Sequence, residues 1–258
     1  MLKVRIIPTL LWKNVGLVKG MGFDSWRRVG PALPAIKVYN ARDVDELMLF
    51  DISATREHIE PDYGSVHDLA DECFVPLTVG GGISRIDQIQ SLLRAGADKI
   101  SINTGSYADP QLIDRAAGRF GAQCIVASID ARHVESSYLC FSHSGTMATG
   151  HRADEWAHEL ADRGAGEILI TSIDRDGTMR GYDLKLVESV VKAVKVPVIA
   201  SGGAGNYEHM RQAIQEAGAS AVAAASMFHF TEQTPAEAKK ALAAAGIPVR
   251  RSYVRSKT

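Results

Sequence analysis

Cysteine is scarce in this chain of 258 residues. Cys73, Cys124 and Cys140 are an odd set with no CxxC spacing. That excludes a disulfide framework and points to reduced structural thiols in a cytoplasmic protein. The eight histidines form no HExxH or other paired spacing, so neither a metal nor another cofactor is expected. No uninterrupted apolar run reaches the ~18 residues of a membrane span. The start, MLKVRIIPTLLWKN, turns polar too soon for a secretory signal. Charge of one sign is also lacking: 29 Lys and Arg stand against 30 Asp and Glu, a net charge of −1. This excludes wholesale binding of nucleic acid, but it leaves room for a local phosphate site.

What is present is ordinary globular material, 46% hydrophobic and 23% charged. The length suits one α/β barrel of about 250 residues. Eight short apolar runs read as strands, at 4–11, 46–52, 75–79, 98–103, 123–130, 167–172, 196–201 and 221–226. Most are apolar throughout, as strands buried on both faces must be. Amphipathic segments at 84–97, 109–122, 182–195, 206–219 and 234–246 read as helices. The alternation predicts an α/β fold, a closed (β/α)8 TIM barrel, in preference to an open doubly wound sheet. No low-complexity linker divides the chain, so 1–258 is expected to be a single domain. Two long non-periodic stretches, about 12–30 and 131–150, would follow strand C-termini on the catalytic face.

The chain also resembles itself. FVPLTVGGGI (74–83) parallels KVPVIASGGAG (195–205), and RAGADKISINT (94–104) parallels EAGASAVAAAS (216–226). DELMLF (45–50) parallels GEILIT (166–171), and VRIIPTLL (4–11) parallels QCIVASID (123–130). A shared offset near half the length predicts two duplicated half-barrels, about 1–121 and 122–246. Each half carries a glycine turn after its third strand, Gly80-Gly81-Gly82 and Gly202-Gly203. Each then carries a small polar turn after its fourth, from Ser101 through Asn103 and Thr104, and at Ser226. Glycines let backbone N–H groups converge on an anion. One such turn can be plain turn geometry, whereas a symmetric pair points to a ligand phosphorylated at both ends. Asp176-Gly177 follows the sixth strand and would touch the second phosphate, unless it is simply an Asp-Gly turn.

Two carboxylates end barrel strands, Asp51 on the second and Asp130 on the fifth. In that position they face the mouth, where acid–base chemistry needs them; helix capping or loop bracing is the alternative for each. The repeat sets Leu11 opposite Asp130, so the halves supply no symmetric acid–base pair.

At this point the residues identify a resemblance. RIIPxL, LVKG, DIxAT, PLTVGGGI, AGADKISIN, GAGEILITS, ITSIDRDGT, GYDLKL, VPVIASGGAG and FHF are similar to the cyclase subunit family of imidazole glycerol phosphate synthase, from histidine biosynthesis. The likeness runs from about residue 4 to residue 250. It implies a heterodimer with a class I glutaminase whose ammonia crosses the barrel core. It implies a bis-phosphorylated ribulosyl aminoimidazole carboxamide nucleotide at the mouth, converted to imidazole glycerol phosphate and aminoimidazole carboxamide ribotide. Asp130 matches a catalytic carboxylate of the family. Gly82, Asn103 and Thr104 would hold one phosphate, and Gly177, Gly203 and Ser226 the other. Ser101, Asp51 and Asp176 would line the substrate, and Lys19 matches a mobile-loop lysine. Arg5, Glu46, Lys99 and Glu167 match a charged ring at the ammonia inlet, with a structural salt-bridge layer as the alternative. Asp98 and Gln123 match positions at the glutaminase interface.

The likeness breaks at one position. In the family an aspartate that serves as general acid follows IIPCL; here the string is IIPTLLWKN and Leu11 takes that place. The usual KDG of the first loop has become Lys13-Asn14-Val15. Leucine cannot transfer a proton, and either Asp51 or Asp176 remains as a possible substitute. A related subgroup, paralogues in bacterial surface-polysaccharide (O-antigen) clusters, often lacks this aspartate and is thought to supply ammonia to a sugar amidotransferase that makes acetamidino sugars. Three readings follow: a cyclase with a relocated acid, an ammonia-delivering paralogue, which is favoured, and a non-catalytic barrel that only activates its glutaminase. The basic tail 249–258 reads as a solvated end.

Overall fold

The computed structural model describes residues 3–13 and 16–250. Asn14, Val15 and the tail from residue 251 onward lie outside the described residues. In chain order the strands are β1 (Arg5–Lys13), β2 (Gly16–Met21), β3 (Asp24–Gly30), β4 (Leu47–Asp51), β5 (Leu77–Gly80), β6 (Lys99–Ile102), β7 (Ile125–Val134), β8 (Ser137–Ser142), β9 (Met147–Arg152), β10 (Glu167–Ser172), β11 (Val198–Ser201) and β12 (Ala221–Ala224). The helices are α1 (Ala32–Ala41), α2 (Ala54–Glu57), α3 (Tyr63–Asp71), α4 (Ile86–Arg94), α5 (Thr104–Ala108), α6 (Gln111–Phe120), α7 (Ala153–Asp162), α8 (Leu184–Ala193), α9 (Tyr207–Gln215), α10 (Ser226–Phe230) and α11 (Pro235–Ala244).

Eight of the strands pair in parallel, in the order β1-β4-β5-β6-β7-β10-β11-β12, and β12 returns to β1. This is the closed (β/α)8 barrel the alternation predicts. Each of the eight apolar runs supplies one wall strand, because side chains buried on both faces leave no polar position to alternate. The five amphipathic segments become α4, α6, α8, α9 and α11. Helices α1, α3 and α7 complete the outer ring.

The two stretches expected to be irregular differ from expectation. Strands β1 and β7 run past the barrel rim and fold back, β1 onto β2 and β3, and β7 onto β8 and β9. Two antiparallel hairpins thus stand over the mouth. Long strands that leave the wall keep their backbone groups paired only by acquiring a new neighbour.

The equivalence of the halves is visible in detail. Gly81 and Gly202 both have positive φ, and a Cβ on either would strike the backbone carbonyl of Asp51 or Ser172 respectively, two residues also 121 apart. Only glycine allows the turn and the wall to approach this closely. The short helices α5 and α10 follow the fourth strand of each half with similar cap geometry.

The last helix closes the barrel from outside. Helix α11 is set by a Thr234/Glu237 capping box with Pro235 in its first turn. It carries Lys239, 2% exposed, onto Asp45 Oδ1 at 2.8 Å. Asp45 Oδ2 in turn accepts the Ile6 N–H at 2.9 Å, so the pair ties α11 to β1. Removing one partner of a buried pair strands the other. Lys239→Met is therefore expected to cost about 3–5 kcal/mol and to lower Tm on the order of 10 °C. Thermal and urea unfolding check this, and a loss under about 1 kcal/mol would show the pair to be dispensable.

Candidate functional site

The barrel interior is layered. Strand side chains alternate, so residues two apart on one strand climb the same inner wall. At the N-terminal end stand four charges. Arg5 Nη1 lies 2.7 Å from Glu46 Oε2, and its Nη2 lies 2.9 Å from Glu167 Oε1. Lys99 Nζ lies 3.0 Å from Glu46 and 3.2 Å from Glu167. The four predicted residues therefore close one alternating ring, and Thr78 Oγ1 donates to the remaining Glu46 oxygen at 2.7 Å. Burial alone would lower the Arg5 pKa, but Glu167 and Glu46 outweigh it and hold it above the ordinary value. Asp98 and Gln123 are exposed beside this end; Asp98 Oδ2 accepts the Leu77 N–H at 2.8 Å.

Above the ring is an apolar layer built by Ile7, Met48, Val126, Leu169, Ile199, Ala221 and Ala223. The mouth opens above it as a cavity of about 450 Å³. Its lining includes Leu11, Asp51, Gly82, Ser101, Asn103, Thr104, Asp130, Asp176, Gly177, Gly203 and Ser226. The structure thus gathers residues as far apart in the chain as Leu11 and Ser226.

Asp130 sits at the end of the barrel-wall part of β7, and its Oδ2 accepts from Asn103 Nδ2 at 2.7 Å. Burial pushes its carboxyl up to about 7; the Asp176 charge adds to the rise, while hydrogen bonds from Asn103 and Thr171 oppose it. A carboxyl titrating near neutrality is fitted to take and return a proton. Leu11 faces the same cavity with no proton to give.

Neither possible substitute stands free. Asp51 Oδ1 accepts from Ser53 N, Ser53 Oγ and Ala54 N at 2.8–3.0 Å, fastening the start of α2. The capping alternative therefore describes that oxygen. Asp176 Oδ1 binds Lys19 Nζ at 2.7 Å, and its Oδ2 is buried without a partner. Lys19 itself is neither solvated nor on an irregular loop. It lies in β2, 3% exposed, and clamps the first hairpin to the loop after β10. Gly177 has positive φ where the Gly20 carbonyl would meet any Cβ, so that glycine seats the same hairpin.

The two glycine turns lie at the mouth as the repeat requires, Gly82 with Asn103 and Thr104 in one half, Gly203 with Ser226 in the other. Thr104 Oγ1 accepts the His143 N–H at 3.0 Å, and Arg56 donates to the Ser144 carbonyl at 3.0 Å. The second hairpin is thereby fastened over the first-half turn.

Sequence reasoning missed the mouth residues carried by the hairpins and the α2 region. Phe23, Trp26, His58, His143 and Ser144 all line the cavity. The signal available was positional: both hairpin segments follow a strand end on the catalytic face. Among the described residues no three His, Cys, Asp or Glu side chains are grouped to hold a metal, and no helix is long and apolar enough to cross a membrane.

A family model described as "Histidine biosynthesis protein" matches residues 5–234. The imidazole glycerol phosphate synthase subunit HisF of Hyphomonas neptunium is 50% identical over 250 residues, covering 97% of this chain and 99% of that protein.

Proposed function

Because the chain belongs to the histidine biosynthesis protein family, among the cyclase subunits of imidazole glycerol phosphate synthase, we propose that it works as the barrel half of a glutaminase-dependent complex. Ammonia released by the glutaminase enters through the Arg5, Glu46, Lys99 and Glu167 ring, crosses the apolar layer and reaches the mouth. Asp98 and Gln123 lie on the face that meets the glutaminase. A ligand bearing a phosphate at each end spans the two glycine turns, with the Gly82, Asn103 and Thr104 cradle at one end and the Gly177, Gly203 and Ser226 cradle at the other. Asp130 is the proton-transfer group that this geometry retains.

The observation that carries the reading is the closed four-charge ring at one end of a layered interior whose other end holds a near-neutral carboxyl between paired glycine turns. A second reading has its own observation. Leu11 removes the general acid that cyclisation requires, and Asp51 and Asp176 are both engaged. This favours a barrel whose ammonia goes on to another acceptor, the sugar amidotransferase of O-antigen or other surface-polysaccharide synthesis. Losing a positioned acid costs about 10²–10⁴-fold, so residual cyclisation by the unaltered chain is expected to be slow.

The test is turnover of the bis-phosphorylated nucleotide by the pure chain in excess ammonium salt, together with stimulation of the glutaminase on mixing. Slow turnover with glutaminase stimulation supports both parts. Fast turnover overturns the second reading. Neither turnover nor nucleotide binding, with glutaminase stimulation intact, leaves a barrel that only activates its partner.

A further inference from the structure

The interior layers hold a feature that neither the ring nor the phosphate cradles use. Counted around the barrel, β1, β5, β7 and β11 are strands one, three, five and seven, and alternate strands contribute the side chains of one layer. Their inward residues climb in steps of two. Ile7, Thr78, Val126 and Ile199 form one level and Thr9, Gly80, Ser128 and Ser201 the next, with Leu11 and Asp130 above them at the mouth. A barrel layer is ordinarily filled by four side chains, mostly bulky and branched. The middle level has three short hydroxyl side chains and a glycine. The cavity accordingly reaches down to all four of these residues. Thr9 is 7% exposed, and its Oγ1 is buried without a hydrogen-bond partner. An unpaired buried hydroxyl is costly, so it wants a small polar occupant.

We propose that the Thr9, Ser128 and Ser201 level is a docking site for one ammonia molecule, set between the apolar layer and Asp130. The proposal rests on the ammonia route described above. Its chemistry fits an uncharged guest. A hydroxyl donates to the nitrogen lone pair, and the other hydroxyl oxygens accept N–H bonds. The apolar level below, with Ile7, Val126 and Ile199, passes the neutral molecule and excludes the ammonium ion, whose burial without a counter-charge is prohibitive. Leu11 roofs one side of the site, so the occupant is held beneath the ligand and turned toward Asp130.

Two measurements test this. In Leu11→Asp protein driven by ammonium salt, adding Thr9→Val is expected to raise KM for ammonia roughly tenfold, the loss of about one hydrogen bond, with kcat and nucleotide KM holding within about twofold. Thr9→Ser in the same background restores the KM. A fall in kcat at constant ammonia KM, or no change, overturns the site. Independently of turnover, crystals of the unaltered chain soaked in hydroxylamine, an uncharged ammonia analogue near pH 7.5, should show two-atom density within hydrogen-bond distance of Thr9 Oγ1. Water alone at that position overturns the proposal. If the Leu11→Asp protein never turns over while hydroxylamine binds at Thr9, the cyclase-like reading fails and the docking site stands.

Discussion

Leu11→Asp raises ammonium-driven turnover of the bis-phosphorylated nucleotide by about 10²–10⁴-fold, the ordinary worth of one positioned acid or base. Leu11 and Asp130 line the same cavity from the first and fifth strands of an eight-stranded wall, on opposite sides. The substitution places a second carboxyl across the mouth from the one already present. Leu11 is half-buried, not sealed in the core, so an aspartate there keeps some access to water and the chain should still fold. Initial rates at saturating ammonium, for the variant and the unaltered chain side by side, decide it. A gain below about threefold would mean that the chain lost its cyclase chemistry elsewhere as well, and the hairpin residues Phe23, Trp26 and His143 would become the next positions to exchange.

Asp130→Asn should produce two opposite effects. Turnover in the Leu11→Asp background falls by about 10²–10⁴-fold, because Asn keeps the shape and loses the proton transfer. Stability moves the other way. The folded carboxyl titrates at about 7 against 3.8 for the unperturbed group. Its folded pKa is raised, so the stability linked to its bound proton is complete below about pH 4 and is lost as pH rises through 7. Asparagine carries no charge to desolvate at any pH. The variant should therefore gain on the parent across the window from about pH 4 to pH 7 and hold that gain above it. The ceiling is on the order of 4 kcal/mol, about three pKa steps. Urea unfolding of both proteins at pH 5 and pH 8.5 reads the difference. An equal gap at the two pH values would mean that Asp130 is not held above its ordinary value by desolvation and the Asp176 charge. A functional group that destabilises its own fold is the usual sign of a site kept for chemistry.

The wall strands and the ring were legible in the sequence for a plain reason. A strand buried on both faces is an unbroken apolar run, and a charge inside such a run, as at Glu46, Lys99 and Glu167, stands out against it. The glycine turns were legible because the chain states them twice. The loss at Leu11 was legible by the same repeat and by the family motif that surrounds it. Helix α1 is hard to read because its outer face mixes apolar and polar residues, Leu33 and Val38 among them, and blurs the period, whereas α7 buries Ala153, Trp156, Ala157 and Leu160 at regular helical spacing.

Other features were decided only by the tertiary structure. The segments 12–30 and 131–150 form hairpins whose Phe23, Trp26, His143 and Ser144 reach the mouth while Leu17 and Cys140 join the core. Their pairing follows from the length of β1 and β7 beyond the rim. That Lys19 is a buried clamp on Asp176 and that Lys239 reaches Asp45 are contacts between residues more than 150 positions apart. No local pattern encodes such partners; they exist only once the barrel has closed. By itself the sequence determined the eight walls and the four charges, which are properties of residue type and spacing, and its resemblance to the family pointed to the missing acid. The desolvation of Asp130 and the level of small side chains beneath it belong to the closed fold, because they depend on what packs around a residue and not on its neighbours in the chain.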